Sequence, residues 1–109
     1  MFYRRRVVVT GVGIVSPLGI GAKTSWEALL TGQSGLRALT DESIVGSEAT
    51  GPLALLPSRV AGTVQGFDPK LHTSAGGDAR NMGRFTHFAL AAASDALQNA
   101  VTMRRLRHD

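Results

Sequence analysis

Arg5-Arg6-Val7-Val8-Val9-Thr10-Gly11-Val12-Gly13-Ile14-Val15-Ser16-Pro17-Leu18-Gly19 carries most of the structural information in this chain. The β-branched run Val7-Val8-Val9 suits a pleated strand. It does not alternate with polar residues, so it predicts a strand over 6–11 that is buried on both faces. Gly11 and Gly13 punctuate it, and Ser16-Pro17-Leu18-Gly19 has the make-up of a tight turn. Gly11-Val12-Gly13-Ile14-Val15-Ser16 narrowly misses a dinucleotide-binding fingerprint, because Ser16 stands where the third glycine belongs. Pro17 follows where the helix of that motif would already be running, and there it would remove a hydrogen bond and clash with the backbone. No acidic residue ends a second strand about 20 residues on, as nucleotide binding of that kind requires.

Downstream, Thr24-Ser25-Trp26-Glu27 has capping-box spacing and predicts a helix over 24–31. Trp26, Leu29 and Leu30 fall on one face of it, and Gly32 is a natural left-handed stop. Residues 38–57 show no period and read as a surface loop. Residues 59–64 predict a second strand closed by Gly66. Phe67-Asp68-Pro69 reads as a turn, and His72 to Asp78 as an exposed loop. Asn81 to about Val101 predicts the longest helix, with Phe85, Phe88, Ala89 and Ala92 in one stripe. Leu90, Ala93, Leu97 and Val101 widen its apolar arc, which implies close packing on more than one side. A lone chain of 109 residues has little material to cover it.

Composition fits a single small globular unit, with 43% of residues hydrophobic and 18% charged, and the predicted strands and helices make it mixed α/β. The absence of cysteine excludes a disulfide scaffold, a thiolate metal site and a cysteine nucleophile within these residues. No apolar run approaches the roughly 18–20 residues of a membrane span. The formal net charge of +4 comes from the ends. Arg4, Arg5 and Arg6 open the chain, and Arg104, Arg105 and Arg107 close it. Six basic and seven acidic residues remain over 7–102. Arg4–Arg6 reads as a basic chain start, or as the opening of a processed organellar protein. The closing arginines read as a solvated helix end, favoured by the helix dipole, or as foreign sequence after a truncation. Basic ends attract nucleic acid non-specifically, but no motif that reads bases accompanies them.

Candidate chemical groups are sparse. His72, His87 and His108 show no i, i+4 pairing with a carboxylate between them. His87 lies between the apolar stripes of the long helix and reads as a surface or hydrogen-bonded packing residue. Asp41, Glu42, Glu48, Asp68 and Asp78 lie mostly in predicted loops, and Asp95 is placed to cap or pair locally. No metal-ligand spacing and no Ser/His/Asp set can be assembled. The residues describe part of an α/β unit with no self-contained active site.

The opening block, valine strand, Thr10-Gly11, Gly13 and Ser16-Pro17-Leu18-Gly19 in that order, closely resembles the N-terminus of the β-ketoacyl-[acyl carrier protein] synthases, in particular the synthase II type. Trp26-Glu27-Ala28-Leu29-Leu30-Thr31-Gly32-Gln33-Ser34-Gly35 resembles that family's first helix and its exit. Arg59-Val60-Ala61-Gly62 resembles its next strand, and Arg80-Asn81-Met82-Gly83-Arg84-Phe85-Thr86 with the alanine-rich run to Leu97 its following helix. The resemblance covers about residues 5–98 and implies about the first quarter of a thiolase-like fold, with its α/β/α/β/α layers incomplete. From Gln98 onward the sequence departs, so 98–109 reads as a divergent basic tail on an N-terminal fragment spanning 1–109.

The resemblance further implies an acyltransferase that condenses acyl groups with malonyl-carrier protein in fatty acid biosynthesis, as a homodimer when full-length. Its catalytic cysteine and histidines would lie past these residues, so no catalytic residue maps here, no cofactor or metal is implied, and the fragment alone is expected to be inactive. Gly11 and Gly13 would then permit close packing rather than cradle a phosphate. Arg80 aligns with a basic position that docks the acidic acyl carrier protein. Arg84 joins it by charge alone, while Asn81 and Gly83 depart from the family pattern. The alternative is a non-catalytic truncated relative or interaction subunit that binds a synthase or carrier protein. The compartment implied by the family is bacterial cytoplasm or the mitochondrial or plastid matrix.

Overall fold

A computed structural model describes residues 4–40, 56–72 and 81–106. Among them, β1 (Val15–Ser16) and β2 (Gly19–Ile20) form an antiparallel hairpin, with Val15 opposite Ile20. α1 (Ala22–Leu30) follows directly. β3 (Leu36–Ala38) pairs antiparallel with β4 (Val60–Gly62), Leu36 opposite Gly62. α2 (Pro69–His72) is a single turn, and α3 (Arg84–Leu106) is the long helix.

The joint that organises these elements is a contact of backbone on backbone. A Cβ built on Gly13 would run into the Ala92 carbonyl and lie 2.7 Å from the Ala96 amide nitrogen. One built on Gly11 would run into the Ala96 carbonyl and lie 2.8 Å from the Ala100 nitrogen. Ala92, Ala96 and Ala100 recur every four residues, so they stack along one face of α3. Only glycine on one side and alanine on the other let the two main chains come this close. The Asn99 side-chain amide donates to the Val12 carbonyl at 2.6 Å and fixes the register. The glycines therefore face a helix and offer no open cradle for a phosphate.

A second close contact joins the hairpin to the other sheet. Pro17, in the β1–β2 turn, lies on two glycines: a Cβ on Gly35 would come within 2.7 Å of Pro17 Cβ, and one on Gly62 within 3.0 Å of Pro17 Cγ. The hairpin itself is pinned from inside. The Ser16 and Ser25 hydroxyls lie 3.0 Å apart, and each reaches the Gly19 carbonyl, at 3.3 and 3.1 Å.

Several expectations are corrected. Residues 6–11 form no strand, and Val7, Val8 and Val9 are 93%, 67% and 82% exposed. A strand needs a ladder partner, and none is present among the described residues. α1 starts at Ala22, not Thr24, and Gly21 rather than Thr24 is its N-cap. The capping box is replaced by a long-range cap, the Ala22 amide donating to Asp95 Oδ2 of α3 at 2.9 Å. Asp95 does not act locally.

The expected Trp26, Leu29 and Leu30 face of α1 is exposed, and Ser25 and Ala28 are buried instead. Ala38 belongs to β3, a strand the loop reading missed; residues 41–55 lie outside the described residues. The second strand holds over 60–62 only. Asp68-Pro69 opens α2 rather than a bare turn: Asp68 Oδ1 accepts from the Lys70 amide at 2.9 Å, with Pro69 in the first helical position. His72 ends that helix, and the rest of the loop expected to Asp78 lies outside the described residues. The long helix spans 84–106 rather than 81–101 and packs on one side, through His87, Ala91 and the alanine stripe, while Phe85, Leu97 and Val101 stay exposed.

The turn at Ser16–Gly19 and the stop at Gly32 hold as expected. Gly32 has φ 72, its amide donates to Leu29 O at 3.1 Å, and the Gln33 amide donates to Ala28 O at 3.1 Å. That pair of bonds is a Schellman close. Among the described residues, the buried apolar side chains are Ala28 and Ala91, and no large side chain is fully buried. The radius of gyration is 18.2 Å, where a closed domain of this length would have about 13 Å. The described residues form an open scaffold and not a wrapped globule.

Because a methyl group has no room at the joint, Gly13→Ala is expected to destabilise the chain by about 1–3 kcal/mol. A urea titration followed by helical circular dichroism checks this, and an unchanged midpoint would show that the contact is dispensable.

Candidate functional site

Two features adjoin α2. The first is an aromatic and cationic cluster at the N-terminal end of α3. The Gly83 carbonyl accepts from the Thr86 and His87 amides at 3.0 and 3.4 Å, so the helix effectively begins there. Arg84 occupies its first position, where a cation opposes the positive end of the helix dipole. Two contacts offset that: the guanidinium lies 5.4 Å from the Phe88 ring centroid, and Nη2 donates to the Val64 carbonyl at 3.4 Å. Phe88 meets Phe67 edge-on at 4.8 Å, and Phe67 stacks on His72 at 5.3 Å. His72 Nδ1 donates to the Asp68 carbonyl at 2.9 Å, which fixes the ring. Arg84 is thus exposed yet held, with Lys70 exposed on α2.

The second feature is a pocket of about 210 Å³ between the hairpin, α2 and α3. Ile14, Ile20 and Leu71 give it apolar wall, and His72, Ser94 and Asp95 give it polar atoms. Asp95 is already engaged with the start of α1, so the anionic group in the wall serves the fold.

Of the two residues singled out from the sequence, the structure places Arg84 in the first cluster, and Arg80 lies outside the described residues. Of the histidines, His87 is buried in the α3 packing face, His72 lines the pocket, and His108 lies outside the described residues. Ser16 and Ser25 pair with each other and with a carbonyl, which gives neither a general base. Among the described residues no three His, Cys, Asp or Glu side chains gather as a metal site would need. Among the same residues no helix is long and apolar enough to cross a membrane. Sequence reading missed the Phe67 and His72 rings that back Phe88 beneath Arg84. The signal that would have found them is Asp68-Pro69, an N-cap residue followed by a first-turn proline.

Comparison with known proteins adds the remaining observations. A family model described as beta-ketoacyl synthase, N-terminal domain, matches residues 4–109. The chain is 43% identical over 96 residues to a Streptomyces coelicolor protein named "Putative polyketide beta-ketoacyl synthase 2", covering 88% of this chain and 20% of that protein. It is 40% identical over 97 residues to 3-oxoacyl-[acyl-carrier-protein] synthase 2 of Vibrio cholerae, covering 89% of this chain and 21% of that protein. It is 35% identical over 100 residues to the protein of the same name from Staphylococcus aureus strain COL, covering 92% and 22%. The chain therefore spans about a fifth of the length of the curated relatives it matches.

The Asp95 cap joins two helices far apart in sequence. Asp95→Ala is expected to destabilise the chain by about 1 kcal/mol, as loss of an N-cap acceptor does. Amide hydrogen exchange checks the cause: faster exchange at Ala22 supports the cap, and an unchanged rate there refutes it.

Proposed function

The chain belongs to the β-ketoacyl synthase family, whose members are acyltransferases, and from that premise we propose that it is the opening portion of a 3-oxoacyl-[acyl carrier protein] synthase. The whole enzyme would condense an acyl group with malonyl-carrier protein in fatty acid biosynthesis. The observations that carry this reading are the family match over residues 4–109 and the 40% identity over 97 residues to a synthase of that name. The glycine–alanine joint supports it by giving the opening motif a structural use. In this reading residues 1–109 contribute the first part of a thiolase-like α/β/α/β/α fold, with 98–109 as a divergent basic end. The remaining layers would cover Val7–Val9 and the outer face of α3. The whole enzyme would be a homodimer.

Condensation of this kind needs an activated nucleophile and donors aimed at a developing oxyanion. This chain has no cysteine, and its Ser16 and Ser25 hydroxyls are tied into the hairpin. Its share of the function is therefore scaffold and docking. Arg80 and Arg84 would face the acidic carrier protein, Arg84 being held by Phe88 and Val64 in an exposed position. An anchored guanidinium loses less freedom on pairing with a carboxylate or phosphate than a loose one.

Incubated with acyl- and malonyl-carrier protein, the 109-residue chain is expected to release no carbon dioxide and form no 3-oxoacyl product. Turnover above background would overturn the assignment of the chemistry to residues outside this chain. In a full-length synthase carrying this sequence, Arg84→Ala or Arg80→Ala should weaken carrier-protein binding roughly fivefold, the equivalent of an exposed ion pair worth about 1 kcal/mol. Calorimetric titration checks it, and unchanged affinity for both variants would leave them as solvated residues.

A further inference from the structure

Val64 and Phe67 belong to one short segment, which leads from β4 into α2. That segment supports the Arg84 side chain twice. Directly, the Val64 carbonyl accepts from Nη2 at 3.4 Å. Indirectly, the Phe67 ring meets Phe88 edge-on at 4.8 Å, with an interplanar angle of 90°. Phe88 lies one turn on from Arg84, on the same face of α3, and the guanidinium sits over its ring at 5.4 Å. A ring attracts a cation through its face, so the contact lasts only while the ring keeps its orientation. Edge-to-face packing is a preferred aromatic geometry, and here Phe67 supplies it. Phe67 is itself stacked on His72, 5.3 Å away at 26°, and His72 Nδ1 donates to the Asp68 carbonyl at 2.9 Å. Support thus runs from Asp68 through His72, Phe67 and Phe88 to Arg84. Every link is made inside the chain, so it does not depend on what covers the exposed faces.

Arg84 gains nothing from its own helix, because a cation at that end opposes the dipole. A loose arginine would spread over many rotamers, and ordering it would count against binding. We propose that Phe67 is a positioning residue for Arg84, holding the Phe88 ring so that the guanidinium meets the acidic surface of the carrier protein in one fixed direction. The inference rests on the reading of Arg84 as a docking residue and deepens it. Phe67 acts through Phe88 and touches neither carrier nor substrate in this scheme.

The test is a double-mutant cycle in a full-length synthase carrying this sequence, read by calorimetric titration with carrier protein. Phe67→Leu keeps an apolar side chain and removes the ring edge. It should weaken carrier binding roughly threefold, most of the effect of Arg84→Ala, and the double variant should bind no more weakly than Arg84→Ala alone. In condensation assays the KM for carrier protein should rise while kcat holds. His72→Ala repeats the test one link further back: it should weaken binding when Arg84 is present and have no effect beside Arg84→Ala, so the inference stays testable if Phe67→Leu fails to fold. Wild-type affinity in Phe67→Leu with a clear loss in Arg84→Ala would overturn the positioning role and leave the docking reading standing. Losses that multiply in the double variant would overturn it too, since they show that the two residues act independently. Wild-type affinity in Arg84→Ala would overturn the docking role of Arg84 and the positioning role with it.

Discussion

Two main chains meet directly in this structure, with no side chain between them. Gly11-Val12-Gly13 lies on the Ala92, Ala96 and Ala100 face of α3 so tightly that a single methyl group has no place between them. Elements that meet at side-chain length tolerate small shifts, whereas elements that meet at backbone length do not. Asn99 then locks the register by donating to the Val12 carbonyl. Everything after Gly13 inherits its position from this contact: the hairpin sits beside α3, and Asp95, one turn before Asn99 on the helix, reaches the start of α1.

The same constraint explains the distribution of apolar surface. The face of α3 that meets the chain's own backbone is made of alanines, because larger side chains would hold the glycines away. The bulky residues Phe85, Leu97 and Val101 point elsewhere and remain exposed, as do Trp26, Leu29 and Leu30 on α1. Burying a large apolar side chain is worth roughly 1.5–3 kcal/mol, so this scaffold leaves much of its hydrophobic driving force unused. A chain that spans about a fifth of its relatives' length and exposes its largest side chains fits the role of a first layer on which others are laid.

The cluster around Arg84 shows how charge is managed at a helix start. A guanidinium there works against the dipole, and the fold compensates with an aromatic face and a carbonyl. Phe67 and His72 extend that support into α2, which is itself capped by Asp68. The result is an exposed cation with a fixed direction, next to a pocket whose carboxylate is already spent on α1.

Local chemistry determined the features that need only neighbours in sequence. Ser16-Pro17-Leu18-Gly19 makes the hairpin turn, Gly32 stops α1 with a left-handed φ, and the long alanine-rich helix forms over most of the stretch its period marks, though shifted at both ends. The ordered residues of the opening block were also enough to point to the family. Tertiary structure decided the rest. α1 begins two residues before its apparent capping box because Asp95, distant in the chain, supplies a better acceptor to Ala22. The buried residues are Ser25 and Ala28 on α1 and His87 and Ala91 on α3, and the largest apolar side chains are not among them, because burial depends on which surface a partner can approach and periodicity reports only where apolar groups point. Val7–Val9 has every local property of a strand and is not one here, because a ladder is made by two segments and no sequence can supply the second by itself.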